Sequence, residues 1–256
     1  TNYEQSSGGT GVILRSTSTK SYILTNAHVC GVIEHGGLVQ SERVKASVVS
    51  YKVSETHDLC LITANADFQV STVVASNPPS SHSEASVVGH PILLPNIITR
   101  GNFSNHLMIP VMYGFRKCTE EDVKEGENII LCAILGGIPQ IRVFEAQSVG
   151  ATIMPGSSGS AVFNTNGEIA GLVFAGQGEL SYGFIVPQEY VYDFVNNEAD
   201  TLKAKTPDTS FEFSFGRQRG RLREVCMSIN SGLYTADVVA TIKPYCKYLK
   251  RDMLKN

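Results

Sequence analysis

The chain contains no tryptophan and no Cys-x-x-Cys pair. The second absence removes zinc ribbons and thioredoxin-type redox sites, which need two thiols on one tight turn. No apolar run approaches the roughly 18 residues that a membrane-crossing helix requires. The longest, Ile129 to Ile138, is short and contains Gly136 and Gly137. Charge is also sparse: charged residues make up 18% of the chain and the net charge is −3. So small an excess excludes a protein that binds nucleic acid over its whole surface. There is no recognisable secretory leader. The chain opens on Thr1 rather than Met, so an upstream segment is expected to have been removed.

What remains is a globular composition, 42% hydrophobic over 256 residues, enough for one large domain or two small lobes. From residue 8 to about 190, short β-type runs alternate with Gly, Pro, Asn and Ser. Ser21-Tyr22-Ile23-Leu24-Thr25, Leu59-Cys60-Leu61-Ile62, Ser86-Val87-Val88-Gly89 and Ser160-Ala161-Val162-Phe163 are examples. Turn signals every 8–12 residues or so predict an all-β sandwich or barrel. Asn164-Thr165-Asn166-Gly167 is a strong hairpin turn, and Tyr190 to Val195 reads as a short closing helix.

The tail differs. Residues 202–256 hold eleven Lys/Arg against five Asp/Glu, whereas residues 1–201 hold ten against nineteen. Thr235 to Arg251 has a helical period through Val238, Val239, Ile242, Tyr245, Cys246 and Leu249, with Pro244 as a kink. Arg217, Arg219, Arg221 and Arg223 alternate, which on a strand would put them on one face. Docking on the acidic body, contact with an anionic surface, and a linker role all remain open for them. No aromatic residue is interleaved, so specific nucleic-acid recognition is not expected.

Of six cysteines, Cys118/Cys132 and Cys226/Cys246 are disulfide candidates, while Cys30 and Cys60 in apolar runs read as buried free thiols. Glu120, Glu121, Asp122, Glu125 and Glu127 read as a solvated loop. His57 reads as a surface residue. His35, His82, His90 and His106 are scattered, so neither a metal site nor a cofactor is expected.

Three segments carry chemistry. They are Thr25-Asn26-Ala27-His28-Val29, His57-Asp58-Leu59, and Pro155-Gly156-Ser157-Ser158-Gly159-Ser160. A serine hydroxyl is a weak nucleophile until a neutral imidazole takes its proton. A carboxylate on the other ring nitrogen fixes the tautomer. The oxyanion that develops needs preorganised N–H donors, and a Gly-x-Ser-Gly turn can supply them. Each element alone is common. Together, in an all-β pattern, they nominate His28, Asp58 and Ser158 as a catalytic triad, with the amides of Gly156 and Ser158 as the oxyanion hole.

These segments resemble the trypsin-like serine proteases, and within them the bacterial HtrA/Deg branch. Val88-Gly89-His90-Pro91, Ile98-Thr99-Arg100-Gly101, Asn164 to Gly171 and Tyr182-Gly183-Phe184-Ile185-Val186-Pro187 extend the resemblance over about residues 8–195. It implies two six-stranded antiparallel β-barrels with a short helical C-terminal extension. The implied divisions are 1–83 (with the His and Asp), 84–195 (with the Ser) and a basic extension over 196–256. It implies a polypeptide substrate, no cofactor, and a periplasmic or secreted setting. It selects Ser158 over Ser157 as nucleophile. It places the substrate pocket among Thr152, Ile153, Val173, Phe174, Ala175 and Gly176, with Tyr182 to Phe184. No acidic residue lies near Thr152, so a small or medium apolar P1 residue is expected, because a buried unpaired Lys or Arg is costly. Three features depart from the pattern: Ser160 replaces a glycine, the stretch 105–147 is long, and the tail is too short for a PDZ domain. The alternative is a catalytically silent trypsin-fold module whose basic tail meets an anionic partner.

Overall fold

Strands form where β-type runs meet turns, and the first group is built around one continuously apolar stretch. The computed structural model describes residues 8–33, 38–41, 44–54, 56–91, 94, 96–124, 126–177, 181–197 and 213–253. The expectations for His35, Glu125, residues 198–212 and the side chains of Arg217 and Arg219 fall outside what it describes. In chain order come β1 (Val12–Ser16), β2 (Ser21–Thr25), α1 (Ala27–Ile33), β3 (Leu38–Gln40), β4 (Lys45–Val53) and β5 (Cys60–Ala64). The strands make a five-stranded sheet in the order β1-β2-β5-β4-β3. All five residues of β5 are buried, as an apolar run without alternation requires. Ile23, Cys30, Ala46, Cys60, Ile62 and Phe68 form the core of this lobe.

No sixth strand joins this sheet among the described residues. The segment after β5 divides its hydrogen bonds: Thr72 N donates to Leu14 O, whereas Ala75 N donates to Ile169 O. It therefore makes a single bridge, Val74 to Ile169, instead of a ladder.

The second group is β6 (Glu84–Gly89), β7 (Ile97–Arg116), α2 (Glu127–Leu135), β8 (Ile138–Val149), β9 (Ala161–Phe163), β10 (Ile169–Gln177) and β11 (Tyr182–Pro187). Its six strands close a barrel in the order β10-β11-β8-β7-β6-β9. Ala85 and Val87 on alternate positions of β6 point into a core with Phe103, Val149, Val162 and Ile185. The expected hairpin joins β9 to β10: Gly167 has φ +77°, and Asn164 Oδ1 accepts the amides of Asn166 and Glu168. A closing helix, α3 (Gln188–Asn197), follows β11.

Two further helices, α4 (Phe213–Ser228) and α5 (Ala236–Met253), belong to the tail. The chain forms two compact units, Thr1–Met108 with Glu145–Asp208, and Ile109–Phe144 with Thr209–Asn256. The outer part of the long β7–β8 hairpin thus folds with the tail. Met112, Phe115, Leu131, Leu135 and Ile138 from the hairpin share a core with Leu222, Val225, Ile229, Ile242 and Leu249. Cys118–Cys132 and Cys226–Cys246 are disulfides inside this unit, as anticipated.

The alternating arginines lie on a helix, not a strand. Leu222, Val225 and Ile229 recur at helical spacing and are buried, and that period prevails over the arginine alternation. Gln218 donates to the carbonyl of Gly136 at the C-terminal end of α2, and the Arg221 guanidinium lies close by. A cation there complements the helix dipole. The acidic run also departs from expectation at one residue. Asp122 is buried and accepts two bonds from Arg116 together with bonds from Thr119 and Asn128. The Arg116 hydrogen bond holds its carboxyl well below the usual carboxylate range.

Candidate active site

His28 sits on α1, immediately after the edge of β2. Asn26 begins this turn: its carbonyl accepts the amides of Val29 and Cys30, and its side-chain Nδ2 donates to Asp58 O at 2.8 Å. Asp58 precedes the buried strand β5. One carboxylate oxygen accepts the backbone N–H of His28 at 3.0 Å, and the other meets His28 Nδ1 at 2.6 Å. An ionised carboxylate only accepts, so in a neutral ring facing one it is Nδ1 that carries the proton and Nε2 that keeps a lone pair. Two bonds from one residue hold the ring to the carboxylate in a single orientation.

Cys30 and Cys60 are joined, which corrects the expectation of free thiols. The bond has a clear geometric reason. Cys30 lies two residues beyond His28 and Cys60 two beyond Asp58. The disulfide and the His–Asp contact are two rungs between α1 and the segment Asp58–Cys60 that leads into β5.

Ser158 lies in a double turn. Ser157 N donates to Met154 O, and Ser160 N donates to Ser157 O. The third residues of these turns, Gly156 and Gly159, have φ of +88° and +84°. Positive φ at that position, with Pro155 before Gly156, defines type II geometry. A type I turn would flip the Pro155–Gly156 peptide and reverse the Gly156 N–H. A Cβ on Gly159 would stand 1.9 Å from Thr10 O, so this position also excludes any side chain by contact.

Thr10, which sequence reasoning missed, fastens the turn from behind. Its amide donates to Ser158 O at 2.7 Å and its hydroxyl to Gly156 O at 2.8 Å. Thr25 Oγ1 in turn donates to Thr10 O at 2.6 Å. The one signal in the sequence was Gly8-Gly9 ahead of it, glycines that let the chain pass close to its neighbours. Gly9 lies against both Val29, next to His28, and Ser158 O. Among the described residues no partner takes the amides of Gly156 or Ser158. The amide between them, on Ser157, is used within the turn.

The two candidate serines differ. Ser157 is buried and its hydroxyl lies 3.3 Å from Met154 N, whereas Ser158 is half-buried. The Ser158 hydroxyl forms no hydrogen bond with His28. Ser160 fits where a glycine was expected because its Oγ rests over Gly89; a Cβ on Gly89 would stand 1.8 Å from it.

Of the pocket residues, Ile153 is brought together with Gly176 and Gly183. A Cβ on Gly176 would stand 2.3 Å from Ile153 Cγ2, and one on Gly183 would stand 2.4 Å from Ile153 Cγ1. The Ile153 side chain therefore fills the gap between two glycines. Val173 and Phe174 are buried on β10, with Ala175 half-buried beside them, and Thr152 is exposed with its hydroxyl on Ser181.

His57 is half-buried rather than a surface residue. Its ring stacks on Tyr190 with centroids 3.9 Å apart. Burial lowers its pKa, opposed by the carboxylates of Glu145 and Glu189.

The fold is that of the trypsin-like peptidases. The family described as the trypsin-like peptidase domain matches residues 9–172, and the chain belongs to it. Its similarity within that family is to HtrA-type proteins. The chain is 26% identical over 218 residues to the serine protease Do-like HtrA of Lactococcus lactis subsp. cremoris, covering 79% of this chain and 47% of the relative. The protein of the same name from L. lactis subsp. lactis is 26% identical over 212 residues, covering 76% and 46%. The chain thus spans about half the length of the curated relatives it matches. The fold is similar to the active form of the Rv3671c protease from M. tuberculosis, with TM-score 0.55, 18% identity, and coverage of 78% and 75%. It is also similar to a serine endoprotease from Yersinia pestis, with TM-score 0.51, 18% identity, and coverage of 77% and 59%.

Proposed function

We propose that the chain is a serine endopeptidase in which Ser158 attacks the scissile carbonyl, His28 is general base and then general acid, and Asp58 orients His28. The observation that carries this reading is the doubly bonded His28–Asp58 pair, which leaves Nε2 as the proton acceptor. His28 Nε2 takes the Ser158 proton as the acyl bond forms, then delivers it to the leaving amine. Water repeats the cycle on the acyl-enzyme. Contacts between nucleophile and base tighten when substrate excludes water, so an open Ser158–His28 pair suits a resting site. The unpartnered amides of Gly156 and Ser158 are the donors for the oxyanion. Three disulfides fit an oxidising setting, periplasmic or secreted.

The test is a fluorophosphonate probe followed by peptide mass analysis. Stoichiometric labelling at Ser158 is expected. A folded sample that takes no label, or takes it elsewhere, would mean a catalytically silent module.

The Ile153 side chain supports the small end of the apolar P1 range, because it occupies depth that a larger side chain would need. Replacing it by alanine is expected to move preference from Ala and Val toward Leu and Phe, by about 10-fold or more per methylene accommodated. The values of kcat/KM across a P1-varied peptide series read this directly. An unchanged ranking would remove Ile153 from the pocket.

A further inference from the structure

Beside the Tyr190–His57 stack, three ligand-type side chains converge from three elements: His106 on β7, Glu145 on β8 and Glu189 in the first turn of α3. His106 Nδ1 lies 3.2 Å from Glu145 Oε1 and 3.8 Å from Glu189 Oε1. The three ligand atoms all lie within 4.8 Å of one another. Tyr190 OH donates to the other oxygen of Glu145, Oε2. Glu189 Oε2 is buried and has no hydrogen-bond partner among the described residues.

Two carboxylates against one imidazole leave an uncompensated negative charge even when the ring is protonated. A buried, unpartnered carboxylate oxygen adds an unmet demand for a cation or donor. Around a four-coordinate zinc, with bonds of about 2.0–2.2 Å, neighbouring ligand atoms stand about 3.3–3.5 Å apart. The two separations measured to His106 bracket that spacing, and the third, between the two carboxylates, is no more than 4.8 Å. The side chains of His106, Glu145 and Glu189 are 37%, 36% and 41% exposed, which gives an ion a path in and room for water as fourth ligand.

We propose that His106, Glu145 and Glu189 bind a zinc ion. The Tyr190 hydroxyl is the outer partner that aims Glu145, leaving Oε1 for the metal. An imidazole with two carboxylates suits zinc better than calcium, which seeks six to eight oxygens. Bound there, the ion would clamp the first turn of α3 to β7 and β8 within one unit. This site is independent of the peptidase reading, since none of its ligands belongs to the proposed triad or pocket.

The test uses the full chain, stripped with chelator and desalted, then titrated with zinc chloride by calorimetry and thermal unfolding. One zinc per chain is expected. At a hundredfold excess over Kd, Tm should rise by about 5–10 °C. His106→Ala and Glu189→Gln should each weaken binding by at least about 10-fold. Both side chains are more than a third exposed, and circular dichroism would verify that the variants fold. Absence of saturable binding, undiminished affinity in both variants, or selection of calcium over zinc by the same residues would each overturn the proposal.

Discussion

Replacing Ser158 by alanine is expected to lower kcat by about 10⁶-fold and to abolish fluorophosphonate labelling. The size follows from the unit character of the site. Without the hydroxyl, His28 has no proton to take and Asp58 has no ring to orient productively, so adding His28→Ala should cost little more. The substitution should leave Tm nearly unchanged. The turn is held by backbone bonds from Thr10, Ser160 and Ser157 and by the glycines, none of which uses the Ser158 side chain. Turnover of a peptide substrate and a melting curve on the same sample separate the two effects. Retained turnover would displace Ser158 as nucleophile. A large fall in Tm would show that its hydroxyl is structural.

The second large effect concerns the unit formed by the outer hairpin and the tail. It is small, and a small unit's core leaves only a slim margin of stability. Its disulfides span 14 and 20 residues, and loops of this size contribute about 3 kcal/mol each. Together they amount to much of the 5–15 kcal/mol that holds a typical domain folded. Changing Cys118, Cys132, Cys226 and Cys246 to alanine, with Cys30 and Cys60 left joined, is therefore expected to unfold this unit. Hydrogen exchange of amides in α2, α4 and α5 is the measurement. Full protection in the variant would show that the apolar core suffices.

The sequence made the triad candidates legible because their chemistry is tied to short local segments. The Asn164–Gly167 hairpin was legible for the same reason, since an Asn–Gly turn dictates its own geometry. The helix through Ile242 and Leu249 could be read from its period. What could not be read depends on contacts distant in the chain. Cys30 and Cys60 look like core thiols until α1 is laid beside β5. Beyond the Gly8-Gly9 pair before it, nothing local signals that Thr10 will bond Gly156, 146 positions away. The alternation of Arg217 to Arg223 suits one face of a strand, whereas the helix is set by Leu222, Val225 and Ile229, whose burial depends on partners distant in the chain. The fifth-strand limit of the first sheet reflects a competition for partners between two sheets, which local propensity does not express.

The shared core of hairpin and tail also has a meaning for synthesis. Leu131 and Leu135 emerge from a ribosome long before Leu222, Ile242 and Leu249, which must cover them. At about 5–20 residues per second, the roughly 100 intervening residues impose a wait of about 5–20 s. During that interval the hairpin carries uncovered apolar surface, the state in which newborn chains are most open to chaperones and to aggregation. Cys118–Cys132 lies wholly inside the early segment, so it can form before the tail exists, whereas Cys226–Cys246 must wait for the tail.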